Sequence, residues 1–138
     1  MASQLKVDTL TGVTTAGSID VTGEGNSTTT NLQQGLSKCW CLFNGTGTIA
    51  IRDSFNSSGL TDVGTGIYQV AYSNNTASAN TVTSGSNVGD PTTANRTNAK
   101  IAAYGSVSTS TTYISVTIND GSYLDFTHVG ITVNGDLA

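Results

Sequence analysis

The pattern of apolar and polar positions is clearest in residues 38–55, KCWCLFNGTGTIAIRDSF. Cys39, Cys41 and Phe43 alternate with Trp40 and Leu42, the two-residue period of a strand. Asn44-Gly45 follows, a strong hairpin signal because both residue types tolerate positive φ. A return strand then places Ile49, Ile51 and Phe55 on one face. The outgoing strand is apolar on both faces. A half-exposed antiparallel strand would be polar on one side, so the second face calls for a cover, and another copy of the chain is the expected one.

The same pattern, read on, predicts further short strands separated by turns. Residues 56–59 read as a turn, 60–63 as a strand and Gly64-Thr65-Gly66 as the next turn. In 67–72, Tyr68, Val70 and Tyr72 share a face. Residues 73–80 read as loop and 81–84 as an edge strand. Residues 85–98 hold the only proline, Pro91, and almost no apolar side chain, which predicts a long exposed loop. Strands follow at 99–104 and 113–119, the latter burying Ile114, Val116 and Ile118 and exposing Ser115 and Thr117. Asp120-Gly121 is a turn. Leu124 and Phe126 then fall out of phase with Val129, Ile131 and Val133, and the spacing predicts a bulge at Gly130.

Before the hairpin the pattern thins. Leu5, Val7 and Leu10 suggest a short strand, Ile19 and Val21 a second, and residues 23–30 a Gly/Ser/Thr connector. Asn31 followed three residues later by Gln34 predicts one capped helical turn. Residues 1–36 therefore read as an attachment arm and connector, and 37–138 as a domain of its own. The fold class is all-β: a small antiparallel β-sandwich or jelly-roll-like domain with an extended N-terminal arm. Backbone ordering costs the arm about 1–2 kcal/mol per residue, and a few buried Val, Leu and Ile return about 1.5–3 each. Such an arm orders only against a partner, which makes Leu5, Val7 and Leu10 the candidate anchoring residues.

Composition narrows the picture. The 138 residues are 10% charged, with 5 basic against 9 acidic side chains, a balance that disfavours a phosphate-binding surface. No apolar run is long enough to span a bilayer, and no basic-plus-apolar leader opens the sequence. The expectation is a product that is cytosolic as made or leaves the cell by lysis. Sequons at Asn26, Asn44, Asn56, Asn74 and Asn95 arise by chance in so Asn-, Ser- and Thr-rich a chain.

Candidate chemistry is sparse. Cys39 and Cys41 lie too far apart on a strand for an easy disulfide, and a zinc site would need more ligands than His128 supplies, so both read as small hydrophobes. His128 is the single histidine and no Gly-x-Ser-x-Gly elbow occurs. Asp53, Asp62, Asp120 and Asp125 sit at strand ends and turns, where Asp is common, and no calcium loop spacing appears. No catalytic, metal or cofactor site is expected. Trp40 and Leu42 are candidates for an oligomer interface. Tyr113 and Tyr123, read as outward-facing, are candidates to stack on a sugar.

Residues 38–70, with the hairpin, Thr61-Asp62, Gly64-Thr65-Gly66 and Tyr68-Gln69-Val70, resemble a repeated domain in tail-fibre-type proteins of marine bacteriophages, cyanophage-like virion appendages. There the pattern runs Lys-Ala-Trp, Phe-Asn-Gly-Thr-Gly-Thr, Ile-Arg, Ser-Phe-Asn, Thr-Asp, Gly-Thr-Gly and a Tyr-x-Val strand. The lead-in Gly17-Ser18-Ile19, Val21-Thr22-Gly23-Glu24-Gly25 and Gln34-Gly35-Leu36 is similar too, so the resemblance spans about residues 17–84. The chain departs from it at Cys39, Cys41 and Leu42. The resemblance implies a virion structural role; with the apolar second face of the hairpin to be covered, the expectation is a non-enzymatic homotrimer at the virion surface, bound to other capsid or tail proteins. A length of 138 residues favours a capsid decoration, cement knob or short spike over a long fibre. The alternative is a carbohydrate-binding module that reads a host-surface glycan.

Overall fold

The computed structural model describes residues 5–13, 18–22, 25, 27–87, 100–103, 108–118 and 120–136. The chain divides into two compact units, Met1–Leu36 and Ser37–Ala138. In the first, β1 (Asp20–Thr22) pairs antiparallel with β2 (Thr29–Asn31), and α1 (Leu32–Gly35) follows directly. The expected helical turn is there: the Asn31 side chain accepts a hydrogen bond from the Gln34 N–H at 3.2 Å. The connector expected at 23–30 instead ends in β2, so Val21 lies in a two-stranded ribbon. Leu5, Val7 and Leu10 are not in a strand.

The second unit is a β-sandwich. Its first sheet has the order β4 (Ala50–Phe55), β3 (Cys39–Asn44), β10 (Val129–Asn134), β7 (Val82–Asn87). Its second has the order β5 (Ser57–Gly64), β6 (Ile67–Tyr72), β9 (Thr111–Thr117), β8 (Lys100–Ala103). All pairings are antiparallel. Between the sheets lie Cys39, Cys41, Phe43, Tyr68, Val70, Tyr72, Ile114, Val116, Phe126, Val129, Ile131 and Val133. These are the alternate residues of β3, β6, β9 and β10, together with Phe126 from the segment before β10. Gly85 on β7 has no side chain because the Ile101 side chain of β8 fills the space a Cβ would take.

Several details depart from the pattern. Leu42 pairs with Asp53 but Phe43 with Ile51, so Arg52 is an extra residue in β4. That bulge puts Phe55 on the opposite face from the one that Ile49 and Ile51 were expected to share with it. Phe55 instead stands beside Trp40. The turn expected at 56–59 shrinks to one residue, Asn56, at φ 56°, and the chain passes there from the first sheet to the second. Asparagine tolerates that conformation, and its amide ties the corner. Nδ2 donates to the Lys38 and Asn74 carbonyls at 2.8 and 3.0 Å, and Oδ1 accepts from the Asn74 N–H at 2.7 Å.

The hairpin turn also differs. Gly45 has no positive φ; Gly47 takes it, at 61°. Gly45 is required for closeness, since a Cβ there would collide with the Tyr68 hydroxyl. The Asn44 side chain shapes the loop, accepting from the Thr46 N–H at 3.3 Å and donating to its carbonyl at 2.9 Å. β10 runs in regular register through Gly130, paired with Leu42 and Ser86. The phase slip falls in the non-strand residues before Val129. Ser115, expected to be exposed, is covered, being flanked by Ile67 and Ala102 on the outer side of the second sheet. β7 takes residues 85–87 of the expected loop; residues 88–99 lie outside the described residues, as do Tyr104 and Asn119.

Candidate functional site

The outer face of the first sheet carries the most apolar solvent-facing surface of the sandwich's regular strands. Cross-strand register sets Phe55, Trp40, Thr132 and Ser84 in one row, and Asp53, Leu42 and Gly130 in the next. Trp40 is 36% exposed and Phe55 51%. Gly130 leaves a shallow depression of about 300 Å³ walled by Trp40, Leu42 and Thr132. The two sequence-expected interface residues therefore share one face. Sequence reading missed Phe55, Thr132 and Gly130, because the bulge and the pairing of β3 with β10 bring them there.

The outer face of the second sheet is different. Tyr113 stands there beside Gln69, half-buried. Tyr123 is exposed and bridges to Thr117, four residues along β9 from Tyr113. At about 3.3 Å per residue that is roughly 13 Å, so the two rings form no common platform with each other or with Trp40.

In the first unit, Leu5, Val7, Leu10 and Val13 are exposed, Leu5 at 79%. An apolar hollow of about 400 Å³ opens among Leu10, Ile19, Leu32 and Leu36. A second, of about 240 Å³, lies between Val21 and Leu36. Three-residue strands and one helical turn cannot close over such hollows alone.

Several of the residues weighed for chemistry are taken up by the fold. Cys39 and Cys41 are free and 1% exposed. Burial pushes the Cys39 thiol up to about 12, with Cys41 beside it adding to the rise. Burial raises Cys41 as well, against a smaller opposite effect of the Ser57 hydroxyl. Both thiols are thus protonated and poor as nucleophiles or ligands. His128 Nδ1 lies 3.2 Å from the Thr127 hydroxyl. Asp125 Oδ1 accepts from the Tyr68 hydroxyl at 2.7 Å and the Gly66 N–H at 2.6 Å, a tie between β6 and the segment before β10. Asp120 accepts from the Ser122 N–H at 2.8 Å, closing the turn at Gly121. No group of three or more His, Cys, Asp or Glu suited to a metal occurs among the described residues. No helix among them is long and apolar enough to cross a membrane.

No protein-family model, no curated protein and no solved structure matches the chain.

Proposed function

We propose that the chain is a non-enzymatic structural protein of a bacteriophage particle, a surface appendage of the capsid-decoration, cement-knob, short-fibre or spike type. The sandwich Ser37–Ala138 is the displayed part. The unit Met1–Leu36 is the attachment part, and three copies associate through it and bind other virion proteins. The observation that carries this reading is the apolar surface of that first unit. Leu5, Val7, Leu10, Val13, Val21 and Leu36 face solvent around hollows that its short elements leave unfilled. Such a surface is stable only when a partner covers it. The resemblance of residues 17–84 to tail-fibre-type proteins supplies the biological setting, and the structural employment of Asp125, Cys39 and Cys41 supports a role without catalysis.

Light scattering on the full chain is expected to give about three times its 14.1 kDa mass, and a monomer at micromolar concentration contradicts association. Deleting residues 1–36 is expected to leave a folded sandwich, read by its β-type circular dichroism, that no longer joins particles. Full decoration of particles by the shortened chain refutes the anchoring role.

A further inference from the structure

We infer that the outer face of the first sheet, centred on Trp40, binds an uncharged saccharide. This goes beyond the structural role and does not depend on it, since the binding belongs to the sandwich alone.

The shape of the face suits a small ligand. Trp40, Leu42 and Phe55 occupy the half on β3 and β4, and Val82 is exposed at the far edge on β7. Between them Gly130 leaves the depression of about 300 Å³, at the small end of the roughly 300–1,000 Å³ that small-ligand sites span.

The chemistry of the face is that of sugar recognition. A pyranose offers a flat apolar C–H face and a rim of hydroxyls. The indole of Trp40, next to Phe55, offers a flat ring surface for the first. For the second, the Trp40 indole N–H and the side chains of Thr132, Ser84 and Asn134 make no hydrogen bond among the described residues. All four residues lie on this side of the sheet. Glycine at 130 removes the side chain that would fill the space between aromatic and hydroxyl halves. Asp53 accepts only from the neighbouring Ser54 N–H, at 2.9 Å, leaving its second oxygen for a sugar hydroxyl. Asp53 is the one charged side chain on these rows. An acidic sugar would meet a like charge there, which is why the ligand is uncharged.

Trp40 is the only tryptophan of the chain, so its emission reports on this face alone. The full chain is titrated with uncharged hexoses, N-acetylhexosamines and their short oligomers, read by tryptophan emission and by saturation-transfer NMR. The expected result is a saturable emission change with at least one of them below about 10 mM. NMR binding should weaken at least about tenfold in Trp40→Ala and measurably in Thr132→Val, a near-isosteric change that spares the fold, and stay unchanged in Tyr113→Ala. No saturable change with any uncharged sugar overturns the inference. So does binding that survives Trp40→Ala, or binding that Tyr113→Ala abolishes. An emission shift that follows protein concentration, with no response to sugar, overturns it too and assigns the face to a second copy.

Discussion

Tyr68 and Tyr72 stand four residues apart on β6 and bury their rings in the same core, yet their hydroxyls meet different fates. At the Tyr68 end every polar group is used. The hydroxyl lies 2.9 Å from the Gly45 carbonyl and 2.7 Å from Asp125 Oδ1, and shares its one proton between them. Gly45 N–H donates to the Phe126 carbonyl at 2.8 Å, and the Phe43 ring meets Tyr68 edge-on at 5.0 Å. At the Tyr72 end, the hydroxyl reaches toward Thr112 without closing a hydrogen bond, and the buried Ser57 hydroxyl has only the soft Cys41 thiol beside it. The neighbours there are the thiols of Cys39 and Cys41. One end is locked by directional bonds and the other is filled by soft, weakly polar atoms. The lesson concerns where the sandwich tolerates change: a lock fails when one part is altered, whereas a filling gives way gradually.

The sharpest way to break the comparison is Gly45→Ala, whose new Cβ would occupy the space of the Tyr68 hydroxyl. It is expected to cost about 3 kcal/mol in denaturant unfolding, because the collision is with a side chain fixed by two bonds. Tyr68→Phe removes the hydroxyl and leaves the buried Gly45 carbonyl short of a partner, for about 2 kcal/mol. If it costs no more than Tyr72→Phe, the lock does not exist. At the other end, Cys39→Ala with Cys41→Val is expected to change stability by about 1 kcal/mol or less, measured by thermal melting.

The thiols give the pH side of the comparison. Their folded values are raised above the ordinary 9, so their contribution is fully present below pH 9. It is lost as pH rises from there, toward about 12 for Cys39, because the unfolded chain ionises first. Burial raises Tyr68 and Tyr72 in the same sense. Alkaline melting should therefore fall in the parent and fall less in the double cysteine variant; identical curves refute the assignment. The smallest effect belongs to Tyr72→Phe, expected within about 0.5 kcal/mol of the parent and on the stabilising side, since no hydrogen bond is lost.

Periodicity made much of this core legible. Tyr68, Val70 and Tyr72 on β6, and Ile114 and Val116 on β9, could be read as buried because each alternates strictly on a strand with no extra residue of its own, the nearby bulges belonging to β5. The Asn31 cap was legible because capping is local. The rest depended on events that periodicity does not encode. A single extra residue at Arg52 moved Phe55 to the other face. Asn56 turned the corner alone, where a four-residue turn seemed needed. The proposed sugar face shows the same limit. Trp40 and Leu42 announced themselves as a second apolar face, but Thr132 and Gly130 became their neighbours only through a pairing between distant strands.

That pairing has a kinetic consequence. Cys39 opens the sandwich and lies against Val133, about 90 residues further on, with β10 then wedged between β3 and β7. During synthesis, β3 and β7 emerge long before the strand that joins them, each with an open row of backbone donors and acceptors. Closing a loop of that length before any contact rewards it slows folding into the millisecond-to-second range. Until then Cys39, Cys41 and Phe43 face water on a strand edge able to pair with a neighbouring nascent chain.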